Sequence, residues 1–399
     1  MKRLMFYCQH ILGMGHLVRS MEIVRGLTPT FQVCFINGGE IINGFAIPDG
    51  IEIVNLPAIK TDSEFRTLQA VDSNQDLAIL QEVRKTQLLA VFKQFQPDVL
   101  MVELFPFGRR KFSFELIPLL EEIRAQGKQT KVVCSLRDIV VTKQNRDQHE
   151  EKVCTLMNQY FDLLLIHGDA QFQPIEETFS RIHELRCPVH YTGYVVQSQR
   201  VQSQPESAIC DTSQETVLTL PQPLILATVG GGRFGHELLN AVVDTAPILE
   251  VALPHHIQVF TGPFFPDKQF ADLQAKAVQC GNLTVDRFTP NLLPYMQKAD
   301  LSISMSGYNT TMNVLTTGTR ALLLAFTGND DQEQRIRSEK LAKLGVVDTI
   351  QPDQLEPHRF ALHVMTCLQK QPTTLEFDFN GVTKTAALLQ HLVADQQVA

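Results

Sequence analysis

The stretch ADLSISMSGYNTTMN occupies residues 299–313 and has the pattern of a short strand, a turn of small residues and a helix. The run from Leu301 to Ser304 indicates a buried strand, and Ser306 and Gly307 interrupt it before a helical segment begins. A strand that leads into a helix through a tight turn is the repeating unit of parallel α/β sheets. The same pattern begins at residues 224–229 and again at residues 321–326.

Strands and helices alternate along most of the chain, which predicts an α/β protein with doubly wound, mainly parallel sheets. Helices are predicted from residue 17, where apolar residues recur at i, i+4 and i+7, and over residues 76–95 and 116–125. The first half has predicted strands at residues 4–8, 31–36, 51–56, 99–102, 132–134 and 163–166. The second half has predicted strands at residues 224–229, 257–260, 283–285, 301–304 and 321–326.

A segment without apolar periodicity separates the two halves. Residues 197–222 are rich in Gln and Ser and contain Pro205 and Pro221, a composition typical of a linker. We therefore expect a Rossmann-like domain over residues 1–196 and a second over residues 223–382, with a central cleft at the carboxyl ends of their strands. Residues 383–399 are expected to form a terminal helix, whose return to the N-terminal domain is left open.

The composition is that of an ordinary globular protein. The 399 residues are 44% apolar and 20% charged, and 35 basic against 43 acidic residues give a net charge of −8. A mildly acidic chain is a poor candidate for sequence-independent nucleic-acid binding. No apolar run approaches the roughly 20 residues that span a bilayer. The eight cysteines show no CxxC spacing, so we expect reduced thiols in a cytoplasmic protein.

The first β–α turn contains Gly13, Met14, Gly15 and His16 directly before the predicted helix. It lacks the third glycine of the dinucleotide-binding pattern, because position 18 is valine. A histidine at a helix start is often a capping or packing residue. The helix N-terminus also lowers its pKa, however, and favours the neutral form that a general base needs. His16 is therefore the candidate catalytic residue.

Two further turns are candidates for binding phosphate. Gly230, Gly231, Gly232 and Arg233 follow a predicted strand, where N–H groups, a helix dipole and a guanidinium suit an anion. The turn at residues 306–307 offers a second helix N-terminus. The loop at residues 327–334 carries amides and carboxylates that suit hydrogen bonding to sugar hydroxyls, although such an acidic run is often only a solvated loop.

Together these motifs resemble those of the GT-B glycosyltransferases. Within them the likeness is to family 28, the group that contains the lipid-linked N-acetylglucosaminyl transferase of peptidoglycan synthesis. The resemblance covers nearly the whole chain in motif order and is more specific in the C-terminal half. It implies the GT-B fold, with two Rossmann-like domains facing a central cleft. The motifs concerned are Gly13-x-Gly15-His16, the Gly230 loop, Ser306-Gly307 and Asp331-Gln332-Glu333-Gln334.

The resemblance implies that the C-terminal domain binds a nucleotide-sugar as co-substrate, most often a UDP-sugar, without a cofactor or metal. Phe288 would contact the base, Gln332 and Gln334 would contact the donor sugar, and His16 matches a histidine with a proposed catalytic role. The donor-site candidates are Gly230, Gly231, Gly232, Arg233, Phe288, Ser306, Gly307, Asn309, Thr310, Asn313, Asp331, Gln332 and Gln334.

Two positions depart from the family's pattern. Asn313 stands where the family usually has a Glu that holds the ribose hydroxyls, and residues 193–196 contain no counterpart of an Arg that members often place near the base. These departures leave the identity of the nucleotide open.

A basic and aromatic stretch is the candidate acceptor region. Residues 103–114 follow a predicted strand and combine Arg109, Arg110 and Lys111 with four phenylalanines. Such a loop suits an anionic lipid surface or a phosphorylated acceptor. A loop with buried phenylalanines and a solvated basic tip is an equal alternative. The acceptor-side candidates are Glu103, Phe107, Arg109, Arg110, Arg137 and Asp138.

The predicted function is an inverting transfer of a sugar to a hydroxyl-bearing acceptor, either a small molecule or a lipid-linked one. A lipid-linked acceptor would place the protein peripherally on the inner face of a membrane. No Asp-x-Asp follows a strand, so no metal ion is expected. Residues 13–20 are also similar to the UDP-sugar hydrolase of pseudaminic acid synthesis, in which water replaces the acceptor. A nucleotide-sugar-binding protein without turnover is a third alternative, supported only by Asn313.

Overall fold

A computed structural model describes residues 1–11, 14–42, 45, 47–61, 67–72, 74–127, 129–141, 145–197, 223–289, 291–326, 328 and 332–394. The chain forms two compact units. The N-terminal unit comprises the described parts of residues 1–196, 328–331 and 377–399, and the C-terminal unit those of residues 197–327 and 332–376. Most of the predicted linker, residues 198–222, lies outside the described residues.

The N-terminal unit is built on a seven-stranded parallel sheet with the order β3-β2-β1-β6-β7-β8-β9. Its strands are continuous apolar runs because helices cover both faces of such a sheet. They are β1 (Lys2–Cys8), β2 (Phe31–Asn37), β3 (Ile51–Asn55), β6 (Val99–Glu103), β7 (Lys131–Arg137), β8 (Leu163–His167) and β9 (Val189–Tyr191); β4 (Ile59–Thr61) and β5 (Leu68–Ala70) form a separate antiparallel pair. The helices are α1 (Gly15–Leu27), α2 (Leu77–Phe95), α3 (Ser113–Ala125) and α4 (Arg146–Tyr160).

The C-terminal unit is built on a six-stranded parallel sheet with the order β12-β11-β10-β13-β14-β15. Its strands are β10 (Leu224–Thr228), β11 (His256–Phe260), β12 (Leu283–Asp286), β13 (Leu301–Met305), β14 (Ala321–Leu324) and β15 (Asp348–Ile350). Its helices are α5 (His236–Ala252), α6 (Asp267–Val278), α7 (Leu292–Lys298), α8 (Tyr308–Thr317), α9 (Glu333–Lys343) and α10 (Pro357–Gln369). Each unit therefore has its own doubly wound sheet, which confirms the predicted fold class.

The C-terminal segment is part of the N-terminal unit. The last helix, α11 (Gly381–Ala394), packs on α1 so closely that a Cβ added at Gly26 would lie 2.0 Å from Val382 Cγ1. The N–H of Tyr194 donates to the carbonyl of Asp378 at 2.6 Å. Because this contact precedes the helix, the segment joins the unit from Phe377, earlier than the predicted boundary at residue 383.

The strand order places the carboxyl ends of particular strands next to each other. In the N-terminal sheet β1 lies between β2 and β6, and in the C-terminal sheet β10 lies between β11 and β13. At such a reversal the loops after two neighbouring strands lead away to opposite faces of the sheet, which opens a crevice for a ligand at the carboxyl edge. Most of the predicted site residues lie in the loops after β1 and β6 in the N-terminal unit, and in or just beyond the loops after β10 and β13 in the C-terminal unit.

Candidate active site

His16 is the second residue of α1, which follows β1, and Glu103 is the last residue of the neighbouring β6. The parallel pairing of these strands brings the two side chains together, and His16 Nδ1 lies 2.6 Å from Glu103 Oε1. The carboxylate is fully buried, whereas the histidine side chain keeps 17% of its surface exposed. Glu103, predicted as an acceptor-side residue, is therefore the partner of the candidate base.

Arg19 completes this contact from the next turn of α1. Its Nη2 donates to the same Glu103 Oε1 that His16 contacts, and both side chains are buried. Burial by itself would raise the pKa of Glu103, but His16, Arg19 and Arg109 together hold that pKa far below its usual range. The carboxylate is therefore ionised. Arg19 was not predicted, although its i+3 spacing from His16 places both on one helix face.

His16 is held in the neutral form. Its pKa is lowered from 6.5 to about 3, mainly by burial and also by Arg137, while Glu103 opposes both effects. From the sequence we expected the helix N-terminus to lower the pKa of His16, whereas burial is the main cause. An ionised carboxylate can only accept a hydrogen bond, so Nδ1 of His16 carries the proton and the lone pair of the neutral ring is on Nε2. Nε2 accepts a hydrogen bond from Nη2 of Arg137, the last residue of β7.

In the basic and aromatic loop, residues 103–114, the side chain of Arg109 lies near Glu103. Arg109 has a left-handed backbone (φ 58°), and its guanidinium lies close enough to Glu103 and Arg137 for their charges to affect its pKa. Arg110 and Lys111 are exposed. The loop's phenylalanines do not form an exposed face: Phe105, Phe107 and Phe112 are buried, and Phe114 is partly buried. The alternative with buried phenylalanines thus describes this loop, apart from the inward Arg109.

Three other predicted N-terminal residues make contacts that support the fold. Met14 is the N-cap of α1, and Phe107 packs edge-to-face on Phe179 with ring centroids 4.9 Å apart. Asp138 is buried, and its Oδ2 accepts a hydrogen bond from the Tyr194 hydroxyl at 3.4 Å. Gly15 is the first residue of α1, and Gly13 lies outside the described residues.

The glycine loop of the C-terminal unit joins β10 to α5. Gly230 and Gly232 have φ angles of +66° and +86°, which L side chains rarely adopt. A Cβ on Gly232 would lie 2.5 Å from the Thr261 carbonyl oxygen, whereas a Cβ on Gly230 would meet nothing within 4 Å. Gly232 therefore lets this loop pack against the loop after β11. Arg233 stacks on the Phe264 ring, 4.4 Å from its centroid.

The turn after β13 forms the other side of this edge. Gly307 is the N-cap of α8, so the first-turn N–H groups, including those of Asn309 and Thr310, have no partner within the helix. The N–H of Ser306 donates to the Leu324 carbonyl at 3.0 Å, and its hydroxyl donates to the Gln334 carbonyl at 3.3 Å. The backbone N–H of Ser306 is therefore bonded to the neighbouring strand, and the predicted anion site would use only the N–H groups that follow it.

The remaining donor candidates are placed unequally. Phe288, just after β12, is 37% exposed, which suits stacking or backbone contact with a base. Asn313 is buried and donates to Gln197 Oε1 at 3.0 Å, so its amide is already engaged. Gln334 Oε1 accepts from the Phe326 N–H at 3.1 Å, and exposed Gln332 accepts from Arg335 at 2.9 Å. Asp331 lies outside the described residues.

Several other properties of the described part of the chain bear on function. Its seven cysteines are free thiols. Among the same residues no group of three or more His, Cys, Asp or Glu side chains is arranged to hold a metal ion. None of the helices in the described ranges is long and apolar enough to cross a bilayer.

Comparisons with known proteins agree with this geometry. Residues 225–390 match the model of the glycosyltransferase family 28 C-terminal domain. Over 250 residues the chain is 26% identical to the UDP-N-acetylglucosamine--N-acetylmuramyl-(pentapeptide) pyrophosphoryl-undecaprenol N-acetylglucosamine transferase of Rippkaea orientalis (strain PCC 8801 / RF-1). That match covers 62% of each chain.

Two solved structures are similar over nearly their whole length. MurG of Acinetobacter baumannii is 16% identical, with 100% of both chains covered and a TM-score of 0.55. A UDP-glucosyltransferase of Polygonum tinctorium is 10% identical, with 98% of both chains covered and a TM-score of 0.60. The fold is therefore that of the GT-B glycosyltransferases. Within that class residues 225–390 match the family 28 C-terminal domain, which confirms the predicted resemblance.

Proposed function

We propose that this chain is an inverting glycosyltransferase that moves a sugar from a UDP-sugar to a hydroxyl group of an acceptor. The C-terminal unit would bind the donor, and the N-terminal unit would supply the base. The observation that carries the proposal is the His16–Glu103 pair. A neutral imidazole with Nδ1–H held by a buried carboxylate has the tautomer that accepts a proton at Nε2.

The proposed reaction is a single displacement at the anomeric carbon. His16 Nε2 takes the proton of the acceptor hydroxyl while its oxygen forms the new bond to the sugar. The bond between the sugar and the diphosphate breaks, and UDP leaves with the electron pair. The glycine loop before α5 and the first turn of α8 would stabilise the charge that develops on the diphosphate. The proposed reaction has no step that requires a metal ion.

The donor is proposed to be a UDP-sugar because the Rippkaea orientalis relative is named for a UDP-N-acetylglucosamine donor and the Polygonum tinctorium neighbour is a UDP-glucosyltransferase. An acceptor with a lipid anchor is compatible with the same relative's name. A hydrolase is the main rival, since water could replace the acceptor hydroxyl at His16. A binding protein without turnover has become a weaker alternative, because the site retains a neutral histidine oriented by a carboxylate.

The donor half of the proposal is tested by equilibrium binding of UDP in EDTA. We expect Gly232→Ala to weaken binding at least about tenfold, because its Cβ would collide with the Thr261 carbonyl and distort the loop. Gly230→Ala is the matched control. It has the same unfavourable φ, worth about 1–2 kcal/mol, but open space around the added methyl. Equal UDP affinity in wild type and Gly232→Ala would remove this loop from the donor site.

A further inference from the structure

The lone pair of the candidate base is occupied by a neighbouring cation. Arg137 ends β7, the strand next to β6, and its Nη2 donates to His16 Nε2. This is the atom that must take the acceptor proton. A hydrogen bond from a guanidinium makes the lone pair less able to accept a proton. The base is therefore neutral but blocked in this arrangement.

The described charges around His16 favour a further anion. Glu103 faces the guanidinium groups of Arg19 and Arg109, and the charge of Arg137 acts on both Arg109 and His16. Arg19 already bonds to Glu103, and Arg109 Nε is buried without a hydrogen-bond partner among the residues that the structure describes. The nearby Cys8 adds no charge, because burial raises the pKa of its thiol to about 12. The buried Nε of Arg109 thus offers an anion a hydrogen-bond donor within this group.

We propose that Arg137 acts as a latch, a side chain that blocks His16 Nε2 until the acceptor binds. An oxyanion of the acceptor releases the latch by drawing the Arg137 guanidinium away from Nε2, toward the oxyanion and Arg109. The inference rests on the proposed function and adds a requirement: the acceptor carries a phosphate or carboxylate group close to the hydroxyl that receives the sugar. A planar guanidinium bonds an oxyanion with two parallel, charge-assisted hydrogen bonds, which are stronger than one bond to a neutral imidazole. The bound anion would also raise the basicity of His16.

The latch gives Arg137 a specificity role. Without acceptor the base stays blocked, so water entering the site meets an imidazole that cannot take its proton. With acceptor the same arginine helps to position the substrate. The left-handed backbone of Arg109, which turns its side chain toward Glu103 while Arg110 remains exposed, provides the second contact to the anion.

The test is a ¹⁵N-histidine NMR titration of the full chain, with the His16 signal assigned from a His16→Gln variant. In wild type without added anion we expect no protonation of His16 between pH 5 and 8, because its pKa is about 3. Arg137→Met should raise that pKa by about 1 to 3 and shift the Nε2 resonance toward that of an unbonded lone pair. In wild type, saturating inorganic phosphate should raise the pKa of His16 and shift the Nε2 resonance in the same direction as Arg137→Met does. Arg137→Gln serves as a second variant if Arg137→Met does not fold.

Matched variants test the anion contact. Arg109→Met should raise the phosphate concentration needed for half of the Nε2 shift at least about tenfold, whereas Arg110→Met should leave it unchanged. Acetate replaces phosphate in a parallel titration, and a response to either oxyanion supports the latch. An Nε2 resonance that neither anion nor Arg137→Met changes would overturn it. Since this readout needs no donor or turnover, failure of the latch is distinct from failure of sugar transfer.

Discussion

Replacement of His16 by alanine is expected to lower kcat by about 10²- to 10⁴-fold, with little change in the affinity for UDP. The reason is the state of the imidazole: Glu103 holds Nδ1, burial keeps the ring neutral, and Nε2 is the proposed proton acceptor. The measurement is steady-state turnover of an acceptor-dependent reaction. His183→Ala, an exposed histidine of the same unit, is the control and should turn over normally.

The partner variant sharpens this prediction. Glu103→Gln replaces the carboxylate with an amide that can donate to Nδ1, which would move the proton to Nε2 and remove the lone pair from the reacting position. We expect a loss similar to that of His16→Ala, and the double variant should lose no more than either single one. Near-normal turnover in His16→Ala would exclude this histidine as the base.

The largest stability effect is expected at a buried ion pair under the same sheet edge. Arg84 of α2 and Glu115 of α3 are both fully buried, with two hydrogen bonds between them at 2.6 and 2.8 Å. Arg84 also donates to the carbonyls of Gly38 and Pro57 and to Gln9 Oε1. All five of its N–H donors are used.

Arg84→Met should therefore lower the free energy of unfolding by about 3–5 kcal/mol, because it leaves the Glu115 carboxylate buried without its countercharge. Urea unfolding of the full chain, followed by a signal from the N-terminal unit, measures the change. Lys85→Met on the same helix is the control. Lys85 forms a partly exposed pair with Glu82, so this change should alter stability by less than about 0.5 kcal/mol. Equal unfolding midpoints for the two variants would contradict the role assigned to this network.

The sequence predicted the fold well because buried parallel strands are continuous apolar runs that turns and amphipathic helices separate. Helix α4 was missed since its sequence RDQHEEKVCTLMNQY is mostly polar and only a narrow apolar stripe of Val153, Met157 and Tyr160 packs inward. The short strands β9 and β15, each of three residues, give too little pattern to recognise. They form because they pair with β8 and β14, and the local sequence of each short strand does not show this pairing.

The candidate site residues were predicted one by one, but the contacts between them were not. His16 and Glu103 were both selected, yet their contact depends on β1 and β6 being neighbours in the sheet. The periodicity of apolar residues along the chain does not predict the order of strands in a sheet. Arg137 was selected as a lesser acceptor-side residue, and its contact with Nε2 follows from β7 lying next to β6. Asn313 was selected as a donor-site residue, and its contact with Gln197, 116 residues away in the chain, is one that local patterns do not predict.

The most direct test of the proposed transfer is nucleotide release from UDP-, GDP-, ADP- and TDP-sugars in EDTA, with and without a metabolite and lipid extract. We expect release from the UDP-sugar only when the extract is present, and fractionation of the extract would then lead to the acceptor. Equal release without extract would contradict transfer and make the protein a hydrolase. Tight binding without release under any condition would reduce it to a binding protein.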